Sequence, residues 1–138
     1  MKVSKINKEF LNLYYKKKLI ACEIDYDKGK VYLTDSYRLY IINIEDMALN
    51  FQIFKPASLK QLLDDAGYVD GIITNTIYND KDNYRLITDK DNLLNIRVND
   101  KFLDFFDDPE VKVLDETKPV FIYERGELVG LVLPIRVY

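Results

Sequence analysis

Histidine is absent from this 138-residue sequence, tryptophan is absent, and there is one cysteine. Without histidine there is no Ser-His-Asp or Cys-His relay, no haem ligation and none of the usual catalytic metal sites. An enzyme would have to work with carboxylates, Lys, Tyr or Ser. The chain therefore reads as a binding protein rather than an enzyme, with no cofactor and no metal. The single cysteine, Cys22, excludes an intramolecular disulfide and a thiolate zinc site. Within the apolar run Leu19-Ile20-Ala21-Cys22 it reads as a small buried residue. No run of about 18 apolar residues occurs, so no transmembrane helix is expected. The opening MKVSKINKEF lacks the apolar stretch of a signal peptide. These absences point to the cytoplasm.

What is present describes a globular chain. Hydrophobic residues make up 48% and charged residues 31%, with 11 Tyr and 7 Phe to fill a core. The length suits one domain spanning residues 1–138. Net charge is −3, unevenly spread. Residues 1–20 carry Lys2, Lys5, Lys8, Lys16, Lys17 and Lys18 against Glu9 alone, whereas residues 64–115 hold thirteen acids against six bases. That excludes a uniformly basic nucleic-acid binder but leaves room for a local basic face.

Read along the chain, Met1–Ser4 can start a short strand, and Lys5 to about Lys16 has the pattern of an amphipathic helix. Ile6, Phe10, Leu13 and Tyr14 share its apolar stripe. At about 100° per residue, Lys5, Lys8, Asn12 and Lys16 gather on another face. That face either contacts DNA or is simply solvated. Strands are expected at Leu19–Tyr26, Lys30–Thr34, Arg38–Ile44 and Phe51–Phe54, with Asp27-Lys28-Gly29 as a turn needing positive φ at Gly29. Pro56 suits the first position of a second helix over ASLKQLLDDA, with Leu59, Leu62, Leu63 and Ala66 inward and Gly67 closing it. Further strands read as Val69–Tyr78, Tyr84–Thr88 and Leu93–Val98. An acidic linker, Asp104–Glu116, then leads to a hairpin of Pro119–Glu124 and Leu128–Val137 turned at Arg125-Gly126-Glu127. The expected fold class is α+β: two strand–helix–three-strand repeats with antiparallel sheets and two helices, plus the C-terminal β-hairpin.

Three segments carry a family likeness. Thr34-Asp35-Ser36-Tyr37-Arg38-Leu39 resembles the T-D-G-H-R-L motif of the bacterial DNA polymerase III beta subunit, the sliding clamp. Asn99-Asp100-Lys101-Phe102-Leu103-Asp104-Phe105 is similar to its D-G-R-F-P-D-Y segment. Leu131-Val132-Leu133-Pro134-Ile135-Arg136-Val137-Tyr138 resembles its terminal V-V-M-P-M-R-L strand. The departures are Ser36 for Gly, Tyr37 for His, Leu103 for Pro, and the additional Tyr138. The resemblance implies one DNA-clamp-like domain and a hydrophobic groove for short peptide motifs of replication or repair proteins. Thr34, Tyr37, Arg38 and Leu39 would form one side of that groove, and Leu133, Pro134, Ile135, Arg136 and Val137 the other. It also implies non-specific contact with double-stranded DNA through Lys5, Lys8, Asn12 and Lys16 after self-association into a homo-oligomer.

Two other readings stay open. The chain could be a monomeric regulator or decoy of the replication machinery that does not encircle DNA. It could also be a carboxylate-dependent metal nuclease using Asp107, Glu110 and Lys112. The pairs Asp80/Asp82, Asp89/Asp91 and Asp107/Asp108 could offer oxygens to a divalent cation, but Asp, Asn and Lys in hairpin turns are ordinary turn chemistry. Asp35 can likewise be a turn residue bonding nearby backbone N–H groups, and Leu133–Val137 an ordinary buried strand.

Overall fold

The computed structural model describes residues 1–136, apart from the side chain of Phe51. Val137, expected in the groove, and Tyr138 lie outside the described residues, as does the end of the expected last strand. The chain divides into two compact units, the first ending at Asp64 and the second beginning at Asp65.

The first unit opens with helix α1, Val3–Tyr15, which replaces the strand expected at Met1–Ser4. Its inner side buries Ile6, Asn7 and Phe10, and the Phe10 ring meets Tyr40 edge-on at 5.9 Å. The helix ends in a Schellman-type cap. Lys17 turns left-handed at φ 58°, its N–H donates to the Tyr14 carbonyl, and the Lys18 N–H donates to the Leu13 carbonyl. Three antiparallel strands follow: β1 (Ala21–Asp25), β2 (Lys30–Thr34) and β3 (Arg38–Asn43). Gly29 has the positive φ its turn calls for, at 64°. The first five residues of β3 are buried in succession, so both of its faces are covered. A two-residue strand, β4 (Lys55–Pro56), pairs parallel to β1.

The second helix expected at residues 57–66 does not form; a single 3₁₀ turn, Lys60–Leu62, stands in its place. The backbone there is engaged elsewhere. The N–H groups of Lys55 and Ala57 donate to Ile20 and Cys22 carbonyls on the β1 side. The Glu23 carboxylate then accepts the N–H of Leu59 at 2.6 Å and of Lys60 at 2.9 Å. The few residues left before Gly67 are too short to recover the cost of helix nucleation. Asp64 and Asp65 would also occupy the end where the helix dipole disfavours negative charge. The Lys60 N–H, against burial and with help from Leu59, holds the Glu23 carboxyl below its ordinary range. The Lys60 ammonium sits 3.3 Å from the buried Asp25 carboxylate.

The second unit is antiparallel throughout. Its strands are β5 (Val69–Asn79), β6 (Asn83–Asp89), β7 (Ile96–Asn99), β8 (Glu110–Val113), β9 (Val120–Glu124) and β10 (Glu127–Val132). They lie side by side in the order β10-β9-β8-β5-β6-β7. The segment expected as an acidic linker thus contains β8, with Val111 and Val113 buried. A one-turn helix, α2 (Asp100–Leu103), is capped by the Asn99 side chain, which accepts the Lys101 N–H. The β9–β10 turn has φ 52° at Arg125 and 78° at Gly126, the two positive values of a type I′ hairpin. Between Ile73 and Ile77, β5 takes four steps against two on β6, a bulge that bends and twists the sheet. Three residues past β10, the Ile135 N–H donates to the Arg97 carbonyl of β7 at 2.8 Å. Three residues reach about 10 Å at most. The two outer strands of this unit therefore approach each other, and its sheet curls toward closure.

The expected α+β plan is accordingly corrected. The described residues form a mainly β fold of ten strands with one long helix, and the strand arrangement is mixed because of the parallel β1–β4 pair. The doubled strand–helix–three-strand order is not there: a helix precedes β1–β3, and β5–β7 follow a 3₁₀ turn.

Candidate functional site

On α1, Lys5, Lys8 and Asn12 are all exposed, as is Lys16 at its C-cap, and Lys2, Lys17 and Lys18 are exposed around them. By helical position Glu9 falls within the same arc. Its carboxylate is half-buried, with Oε1 3.4 Å from the Arg38 Nη2. The one acid of the first twenty residues is thus paired with an interior guanidinium, and Lys8 and Lys16 stand exposed on the same face.

Arg38 organises the region behind the helix. It is 2% exposed, its Nε donates to Asp35 Oδ2 at 3.0 Å, and its Nη1 donates to the Tyr40 hydroxyl at 3.3 Å. Its guanidinium carbon lies 5.5 Å from the Phe10 ring centre and 5.6 Å from that of Tyr40. Burial by itself would lower the Arg38 pKa, but Tyr40 and Asp35 outweigh it and raise the value, so the charge is retained. The Tyr40 hydroxyl is pushed well above its ordinary range by burial, which Arg38 only partly offsets.

The clamp-like segment 34–39 is a hydrogen-bonded turn. Asp35 Oδ1 accepts the N–H of Tyr37 at 3.0 Å and of Arg38 at 3.2 Å. Thr34 Oγ1 donates to the Arg38 carbonyl at 2.7 Å and accepts the Ser36 N–H. Ser36 stands at φ 81°, where the clamp motif has glycine. Of the residues expected in the groove, Leu39 is 1% exposed and Arg38 is buried with it, while Tyr37 is 65% exposed. In the second unit, Leu133 and Arg136 are exposed and Pro134 and Ile135 half-buried. These four residues form no strand among the described residues; Ile135 instead bonds the edge of β7.

The second unit holds an open cleft of about 600 Å³ between the β5 bulge, α2 and the start of β8. Arg85 lies on it, with Nε 2.8 Å from Asp100 Oδ1 and Nη1 donating to the Thr74 carbonyl at 3.1 Å, which pins the bulge to α2. Asp100, Asp104, Asp108 and Glu110 line the same cleft. Four carboxylates against one guanidinium repel a polyanion. Among the described residues no cluster of three or more His, Cys, Asp or Glu side chains is placed to hold a metal ion.

Hydrogen bonds at the other acidic positions belong to turns. Asp89 Oδ1 accepts the N–H of Leu93 and of Leu94, and those bonds, Leu94 foremost, hold its carboxyl low. The Asp80 N–H donates to the Asp82 carbonyl. Of the nuclease trio, Lys112 lies over the Tyr123 ring at 4.9 Å, Glu110 faces the cleft, and the Asp107 N–H donates to Glu124.

Tyr15, Lys17 and Lys18 extend the exposed face of α1 beyond the four residues picked out by periodicity. Tyr15 follows Asn12 by three residues, a spacing that already places it beside them. No family model, no curated protein and no solved structure matches the chain.

Proposed function

We propose that this chain is a non-enzymatic binding module that holds nucleic acid by its phosphates through the lysine face of α1. One observation carries the reading: Lys5, Lys8 and Lys16 face solvent on one helix, while Glu9, the acid among them, is drawn inward by Arg38. Such a face binds phosphates without reading bases, and its affinity falls steeply with salt. The acidic cleft of the second unit, lined by Asp100, Asp104, Asp108 and Glu110, repels a polyanion and does not compete as its site. The likeness of residues 34–39, 99–105 and 131–138 to clamp motifs supports a role in DNA replication or repair. Peptide capture is the weaker part of that likeness, because Leu39 and Arg38 offer no surface to a ligand.

The test is fluorescence anisotropy of a labelled oligonucleotide at several salt concentrations, using the wild type and a Lys5→Gln/Lys8→Gln/Lys16→Gln variant. Wild-type affinity falls linearly in log–log form. The variant's slope is shallower by roughly 2 to 3 units, at about 0.7 to 0.9 per lost phosphate contact. Absence of binding at low salt, or an unchanged slope in the variant, refutes the proposal.

A further inference from the structure

We infer that the nucleic acid held at α1 is single-stranded, with the ring of Tyr15 as the platform on which a base stacks; this rests on the reading of α1 as a phosphate-binding face. Tyr15 is 73% exposed at the last position of the helix. The inner side of α1 already buries Ile6 and Phe10, so packing gives no reason for a large ring on the outer side. Its neighbour Tyr14 lies 5.9 Å away at 60°, and Tyr14 in turn meets Phe54 edge-on at 6.1 Å. Tyr14 is itself 41% exposed, so the two neighbouring rings together present aromatic surface at this end of the helix.

Position along the helix joins this ring to the charges. Lys5, Lys8, Asn12 and Tyr15 succeed one another by three, four and three residues, which sets them on one ridge. From Lys5 to Lys16 that ridge runs about 16 Å, and Lys16, Lys17 and Lys18 follow the ring directly. A line of ammonium groups that ends in an exposed aromatic is the combination single strands require. The backbone tracks the charges, and an unstacked base covers the ring. A duplex keeps its base faces inside its own stack and offers the ring nothing but its rim. Lysine alone would serve either form; Tyr15 separates them.

The experiment compares a labelled oligothymidylate with a hairpin duplex of equal charge, by anisotropy at low salt. It uses the full chain as wild type, Tyr15→Ala, Tyr15→Phe and Lys8→Gln. Wild type binds the single strand more tightly than the duplex. Tyr15→Ala weakens single-strand binding by roughly tenfold and leaves the duplex unchanged, since stacking dominates that difference. Tyr15→Phe keeps the preference, and Lys8→Gln weakens both ligands alike. Unchanged single-strand affinity in Tyr15→Ala, or an equal loss for both ligands, overturns the inference and leaves the phosphate-binding face standing. Failure of the wild type to bind either ligand, with binding to phosphatidylserine vesicles instead, overturns both.

Discussion

Replacing Arg38 with alanine tests the arrangement on which the α1 face depends. The guanidinium is buried, and its partners include Asp35 at 3.0 Å, the Tyr40 hydroxyl at 3.3 Å and Glu9 at 3.4 Å. Removing one member of a buried ion pair costs about 3 to 5 kcal/mol, because the remaining charge is stranded. Asp35 keeps two backbone N–H donors, from Tyr37 and residue 38, which softens the loss. The contact of the guanidinium with the Phe10 and Tyr40 rings is lost as well, adding to it by about 1 kcal/mol. The expected destabilisation is therefore about 3 kcal/mol, toward the low end of the range for a broken buried pair. With a urea slope of about 2 kcal/mol per molar, the unfolding midpoint followed by circular dichroism falls by about 1.5 M. The same substitution frees the Glu9 carboxylate beside Lys5 and Lys16, so nucleic-acid binding at low salt weakens too. Glu9→Gln is the complement: it costs about 0.5 kcal/mol at this partly exposed position and strengthens binding. An Arg38→Ala variant that loses less than about 1 kcal/mol, within the range of ordinary substitutions, refutes the reasoning.

Two further outcomes follow from local geometry and titration. Lys17 occupies the left-handed position of the helix cap at φ 58°, where a side chain costs about 1 to 2 kcal/mol, so Lys17→Gly raises stability by about 1 kcal/mol. Thermal melts check it, and a fall in melting temperature counts against the cap. Tyr123, through burial and its hydrogen bond to Asp65 at 2.9 Å, is pushed up to about 12. A raised folded value means that its contribution is intact below the unfolded value of about 10 and is lost as pH climbs from there through the folded one. Tyr123→Phe removes that alkaline slope from unfolding curves, and an unchanged slope in the variant refutes the assignment.

Much of the local structure was legible because its signals are local. The stripe of Ile6 and Phe10 marks α1, and β-branched and aromatic runs mark β1 to β3 and β5 to β7. Gly29 and Gly126 mark turns that demand positive φ. Segments governed by distant partners were not legible. Residues 57–66 have the composition of a helix, yet the Glu23 carboxylate, thirty-six residues from Leu59, takes the N–H groups a helix needs. Strand β8 hides in an acidic stretch because two buried valines, Val111 and Val113, give too short an alternation to stand out. Helix α2 has only its Asn99 cap as a signal. The candidate interface was half legible: periodicity gathers Lys5, Lys8, Asn12 and Lys16, but Glu9 falls in the same arc, and nothing local says where its charge goes.

The sequence by itself determined the helix with its lysines, the hairpins, and the absence of histidine that removes most catalytic chemistry, since composition and short-range periodicity need no partner. Tertiary structure decided the rest. It turned Glu9 toward a buried Arg38, withdrew Leu39 into the core, exposed Tyr15, and curled six strands until Ile135 met Arg97. Each of those outcomes depends on which groups the fold removes from water and which it leaves there. That partition arises from contacts between residues far apart in the chain.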